Sequence, residues 1–348
     1  MTTPSLVGTQ APRRRPLPMP AACAAAPRAG APLLARAGQT HLALSQRDPR
    51  DAALSLAAVG FPGLSLDAER ERGSLTNPTT ETELSRLGLA YLRGERASAA
   101  LPHEQATALA ETLRQLQRPH CVRAELTGPV SLALQLVDSD ERPLAYDPAL
   151  REALVQHLVL RAAWLRDQLA LAASGVVICF DEPFLDALGV PLSPLSWREG
   201  ADMLARVLSE IPGPCGLCVA GNPPWAELVA LPADVIFFDA YEHSADLIQA
   251  APFVVEHLNR GGSLGWGLIP NDPADLAQER AETLAHRFIS SVAYLADASG
   301  LTPVQLSRAA LISTNGRLGH LEAEEASHAA GLCANVAALL QAHYQLAT

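Results

Sequence analysis

Residues 175–183 read GVVICFDEP: a glycine, five apolar residues from Val176 to Phe180, then Asp181, Glu182 and Pro183. Three of the five, Val176, Val177 and Ile178, are β-branched, which predicts a strand. An unbroken apolar strand is one covered on both faces, as strands of a parallel sheet are. A carboxylate leaving it cannot stay unpaired in apolar surroundings, so it must face a cleft or a cation. Alternation turns only one of Asp181 and Glu182 inward. The plain structural alternative for an acid at this place is to cap a following helix.

Outward from this stretch a rhythm of strand, turn and amphipathic helix repeats. Residues 122–127 predict a strand, Gly128 and Pro129 a turn, and 131–137 a helix. Apolar residues at helical spacing over 148–173 predict a long helix stopped before Gly175. The series goes on with helix 197–210, strand 215–220, helix 225–231, strand 235–238, helix 244–258 and strand 263–269. Asp272 and Pro273 start a helix running to about 298, and strand 308–313 precedes a last helix, 322–345. Seven or eight such units over about 250 residues predict the α/β class, and within it a closed (β/α)8 TIM barrel rather than an open doubly wound sheet. No GxGxxG follows any of these strands.

The composition narrows the function. With 348 residues, 49% of them hydrophobic and 18% charged, the chain can bury a large core. All 26 basic residues are arginine, which excludes Schiff-base, lysine-base and P-loop-lysine chemistry. A formal charge of -11 repels nucleic acid and anionic membrane, so neither is expected as a partner. No run of eighteen apolar residues occurs, and six scattered cysteines in a chain this long fit reduced thiols, so a soluble cytoplasmic protein is expected. Residues 1–40 hold five arginines and no acid, and the expected division is a disordered Ala/Pro/Arg-rich extension over 1–39 and a barrel over 40–348. A targeting peptide is the other reading of such a segment, against which serine is scarce.

In a barrel of this kind chemistry gathers at the C-terminal ends of the strands. Those ends carry Gly128, Asp181 and Glu182, Cys218, Asp239, Trp266, Asn271 and Asn315. His243 and His320 also follow strands and could serve as ligands or acid/base groups. Cys215 and Cys218 make a CxxC, but residues three apart on a strand face opposite sides and cannot easily share a metal.

The strand-end words come in a telling order. Thr127-Gly128-Pro129-Val130, Asp181 to Leu185, Cys218 with Gly221-Asn222, Ala233 to Ile236 with Asp239, Leu268 to Asp272, and Ile312 to Gly319 follow one another at the spacing of a known family. Over roughly residues 41–346 the chain resembles the catalytic C-terminal domain of cobalamin-independent methionine synthase, in the superfamily that includes uroporphyrinogen decarboxylase. Asp48 to Ala52 resembles the start of the first barrel helix of its short members. The resemblance implies a (β/α)8 barrel whose zinc binds a homocysteine thiolate for attack on a methyl group carried by a folate or corrinoid donor. Asp181 matches the carboxylate that holds the substrate amino group. The four positions of the zinc ligands read Gly216, Cys218, Asp239 and Asn315, so two anionic donors remain where a catalytic zinc needs three protein ligands. At the amino end Leu42 to Gln46 replaces a Gly-Ser-x-Pro-His word, with Ala43 where a substrate-contacting serine is expected.

The expectation is thus a methyltransferase-like barrel for a small amine- or thiol-bearing substrate. Asp181 is the anchor, with Glu182, Gly128, Trp266, Asn271 and Asn315 around it. Cys218 and Asp239 form a reduced metal or acid/base pair, with zinc doubtful. The alternatives are a catalytically silent barrel kept for binding or assembly and a metal-free decarboxylase-like lyase.

Overall fold

A computed structural model describes residues 33–34, 39–42, 53–67, 72–75, 81–115, 121–173, 175–221 and 224–346. Most of the 1–39 extension, Asp48 to Ala52, the stretch 43–46 and Asn222 lie outside the described residues. The strands in chain order are β1 (Leu33–Leu34), β2 (Gln39–Leu42), β3 (Leu64–Asp67), β4 (Arg72–Leu75), β5 (Cys121–Thr127), β6 (Leu136–Val137), β7 (Gly175–Glu182), β8 (Cys215–Val219), β9 (Val235–Phe238), β10 (Ser263–Ile269) and β11 (Ala310–Thr314). Eight of them form one sheet in the order β1-β2-β5-β7-β8-β9-β10-β11. Every neighbouring pair from β2 to β11 is parallel, and β1 lies antiparallel on the outer edge of β2. Sequential parallel strands lie side by side because each is followed by a helical crossover. A smaller sheet, β3-β4-β6, is built largely from the insertion between β2 and β5.

Two buried clusters occupy the two faces of the large sheet. On one face Val176, Ile178, Phe180, Leu217, Ile236, Phe238 and Trp266 join the main core with the helices. On the other, Val177, Cys179, Val235, Phe237 and Leu311 from alternate strands β7, β9 and β11 pack together. Asp181 of β7 also pairs with Arg317, three residues beyond β11. In a flat sheet those strands would be four steps of about 4.8 Å apart, or roughly 19 Å. The contact therefore requires the sheet to curl, bringing the inner faces of its strands together as in a barrel.

Glycine makes that interior close. Gly216 of β8 and Gly265 of β10 lie between the larger residues of the neighbouring strands in register with Cys179, Val235, Phe237 and Leu311. A Cβ on Gly216 would sit 2.6 Å from Cys179 Sγ and 2.8 Å from Val235 Cγ1, and one on Gly265 would meet the Phe237 ring. Small and large side chains thus alternate around the interior, as filling a narrow barrel demands.

The eight-fold closed barrel is met in part. The curled sheet has seven parallel strands, and among the described residues β11 forms no ladder with β1 or β2. The helices follow the expected pattern with breaks. The predicted helix 244–258 is two, Ala240–Gln249 and Ala251–Asn259, because Pro252 lacks the N–H a continuous helix would use. The predicted helix from 272 to 298 is likewise Pro273–Leu276 followed by Ala281–Ser299. The helix after β5 has the expected length but starts and ends two residues earlier, Pro129–Gln135, and gives way to β6. No helix among the described residues is long and apolar enough to cross a membrane.

Candidate functional site at the strand ends

Register fixes which side chains point inward. Thr127 pairs with Asp181, Asp181 with Cys218, and Cys218 with Phe237, so these four share the inner face at the C-terminal ends of β5, β7, β8 and β9. Arg123 and Glu125 lie below Thr127 on the same face of β5, in register with Val177 and Cys179. Cys215, three residues before Cys218, belongs to the helix-facing core instead, as strand alternation predicts.

Asp181 is the carboxylate of GVVICFDEP that faces the interior. Its side chain is 17% exposed and forms an ion pair with Arg317, which is 39% exposed. Burial raises its pKa, the Arg317 guanidinium opposes the rise, and the nearby Glu125 adds to it. The Thr127 hydroxyl beside it in register is buried and has no hydrogen-bond partner.

Glu182 points the other way. It is fully buried, accepting from the backbone N–H groups of Val130 at 2.9 Å and Ser131 at 2.7 Å. It thus caps a helix, but the upstream Pro129–Gln135 and not the following one that an acid at this place was expected to cap. Burial pushes its pKa up to about 7 against the pull of these hydrogen bonds. Gly128 gives it room, since a Cβ there would lie 2.3 Å from Glu182 Oε1. The Glu182 side chain is thus turned away from the interior that Asp181 faces, while Gly128 N donates to Asp181 O at 2.8 Å. Trp266 is also turned outward, 1% exposed and edge-on to Phe238 and Phe288, because its register partner Phe238 faces the helices.

The innermost group is one that strand-end reading misses. Arg123 is 5% exposed, forms an ion pair with Glu125, donates to Cys218 Sγ at 3.3 Å and lies 3.7 Å above the Phe237 ring. Cys218 Sγ lies 3.7 Å from Glu125 Oε1, and its hydrogen bond with Cys179, together with burial, holds its thiol well above the usual pKa. The signal for this pair was present in the sequence: Arg123 and Glu125 alternate with Val122, Ala124 and Leu126, so two charges share one face of a strand in an apolar setting. Arg317 sits past the last strand and carried no comparable signal.

The remaining predicted residues form a tie across three strand ends. Asp239 accepts from Glu242 N at 3.0 Å and from Asn315 Nδ2 at 3.3 Å. Asn315 Oδ1 accepts from Asn271 N at 2.9 Å, and Asn271 Nδ2 donates to Arg317 O at 3.0 Å. His320 Nε2 lies 2.9 Å from Asn271 O, while His243 pairs with Asp246 on its own helix at 3.0 Å. Asn315 therefore works as a connector that positions the Arg317 loop, and Asp239 is partly committed to a helix cap.

The zinc that the resemblance implies does not fit these residues. The Gly216 position is closed by Cys179 and Val235, and Asn315 spends its amide on Asp239 and Asn271. Cys218 already faces a cation, the Arg123 guanidinium. Among the described residues no group of three or more His, Cys, Asp or Glu could hold a metal ion. Chemically, the interior presents the guanidiniums of Arg123 and Arg317 against the carboxylates of Glu125, Asp181 and Asp239, an arrangement suited to a cationic or zwitterionic small molecule.

No family model matches the chain, and no curated protein matches it. Among solved structures the chain is similar to a B12-independent methionine synthase from Shewanella sp. W3-18-1 in complex with selenomethionine, at 14% identity and a TM-score of 0.49, over 79% of this chain and 72% of that one. It is also similar to a methyltransferase from Methanosarcina mazei, at 11% identity and a TM-score of 0.44, over 67% of each chain.

Proposed function

We propose that residues 40–348 are a methionine synthase-like methyltransferase barrel that takes a small amine- or thiol-bearing substrate at the strand ends without the family's full zinc site. The observation that carries this reading is Asp181: an inward, largely buried carboxylate at a strand end, paired with an arginine on a loop. A ligand ammonium can take the place of the Arg317 guanidinium, and the unpartnered Thr127 hydroxyl beside it offers a further hydrogen bond. Arg317, 39% exposed, can turn toward solvent or toward an acidic group of the same ligand. The methyl donor in this reading is a small folate or corrinoid compound, and the setting is cytoplasmic.

A second reading, a barrel kept for binding alone, is favoured by one feature. Cys218 lies in register beside Asp181, contacts Arg123 and Glu125, and has its thiol pKa raised by the hydrogen bond with Cys179 and by burial. A thiol held as the neutral acid is a poor nucleophile. The two readings separate in one assay: homocysteine and a methyltetrahydrofolate donor are incubated with the protein and methionine is measured. Methionine formation that is lost in Asp181→Asn supports the enzyme; ligand binding without turnover supports the binding barrel. Absence of binding by any small amine or thiol removes both.

A further inference from the structure

We infer that the Arg123 guanidinium is the resident cation of the strand-end interior, neutralising Glu125 and facing Cys218 so that the site stands complete without a metal ion. The inference rests on the strand-end placement proposed above, but it concerns a different group. Contacts with Glu125, Cys218 and Phe237 place the guanidinium. It pairs with the Glu125 carboxylate, donates to Cys218 Sγ at 3.3 Å and places its Cζ over the Phe237 ring, 3.7 Å from the centroid. A carboxylate, a sulfur and an aromatic face form a site for a planar, soft-hydrated cation rather than for zinc, which asks for three or four donors in a tetrahedron. The neighbours complete the seat: Gly216 brings no side chain, and Val235 and Cys179 fill the space beside it. Arg123 is thus a positioning residue that fixes Cys218 and Glu125 from within. A divalent ion entering here would have to displace a charge that is covalently part of the wall.

The experiment has two arms on the full-length chain. In the first, wild-type protein is dialysed against zinc and its metal content measured. Well under one zinc per chain is expected. Near one zinc per chain, lost in Cys218→Ser, overturns the inference. In the second, Arg123→Ala is melted in low millimolar guanidinium chloride and in sodium chloride of equal ionic strength. Its melting temperature should lie below wild type and rise with guanidinium, while wild type does not respond. An Arg123→Ala protein as stable as wild type, or one that responds equally to sodium, overturns the inference. If Arg123→Ala does not fold, Arg123→Lys replaces it. That variant keeps the charge and should fold free of zinc, and zinc uptake by it would count against the assignment. Neither arm uses a substrate, so failure here leaves the amine-binding reading to its own test, and failure of that reading leaves this one standing.

Discussion

Gly216 occupies one of the four positions that the resemblance matches to zinc ligands, and the packing around it predicts what any side chain there will do. Its backbone is ordinary strand, so in open space Gly216→Ala would gain roughly 0.5–1 kcal/mol from reduced freedom of the unfolded chain. The space is not open: the new Cβ would lie 2.6 Å from Cys179 Sγ, 2.8 Å from Val235 Cγ1 and 3.4 Å from the Val235 carbonyl oxygen. Two of these three neighbours are short side chains without rotamer reach, in a cluster that is almost fully buried. Overpacking of this kind costs about 1–3 kcal/mol. That outweighs the entropic gain and reverses the sign. Mid-range values leave a net cost of about 1 kcal/mol, and at about 2 °C per kcal/mol in a chain of this size a fall of about 2 °C, at most about 5 °C, is expected by circular dichroism. Val235→Ala removes one of the two clashes, and Gly216→Ala with Val235→Ala should show a favourable coupling of about 1 kcal/mol relative to the sum of the single changes. Gly216→Ala at or above wild-type stability would refute the packed interior and reopen the position to a ligand.

Three further outcomes follow from the same geometry. Gly128→Ala should cost upwards of about 2 kcal/mol in denaturant titration, because the Cβ displaces the buried Glu182 carboxylate from the helix it caps. Burial pushes the Glu182 carboxyl from its ordinary 4.5 up to about 7, so its charged form is disfavoured by folding. That penalty is fully present above about pH 7 and fades as pH falls toward 4.5. Acidification across this window should therefore stabilise wild type by up to about 3 kcal/mol more than Glu182→Gln, as melts at stepped pH would show. Asn315→Ala should loosen the tie among Asp239, Asn271 and the Arg317 loop, and speed amide exchange at Asn271, which now bonds Asn315 at 2.9 Å, while the strands stay protected.

The sequence made the sheet legible where strand and helix alternated with clear stops, and blurred where proline or a cap divided a helix. The break at Pro252 is visible in the residues, yet apolar periodicity runs through it, so pattern alone joins the two helices. Asp181 and Glu182 show the limit more sharply. Alternation says that one faces inward, but only the N–H groups of Val130 and Ser131, fifty residues upstream, decide that Glu182 is the cap. Cys218 was legible as an inward residue, whereas its partners Arg123 and Glu125 come from β5 and meet it only through the curl of the sheet. A strand-end position says nothing of face, and the register of Trp266 with Phe238 turns it to the helices.

The central claim is that Asp181 anchors an amine-bearing ligand at the strand ends. Calorimetric titration of methionine and homocysteine into wild type and Asp181→Asn tests it most directly. Removing one partner of a desolvated charge pair costs about 2–5 kcal/mol, so binding to wild type should weaken by at least about 30-fold in the variant, with its melting curve still that of a folded protein. A ligand that binds both proteins with equal affinity would place the amine elsewhere and contradict the account.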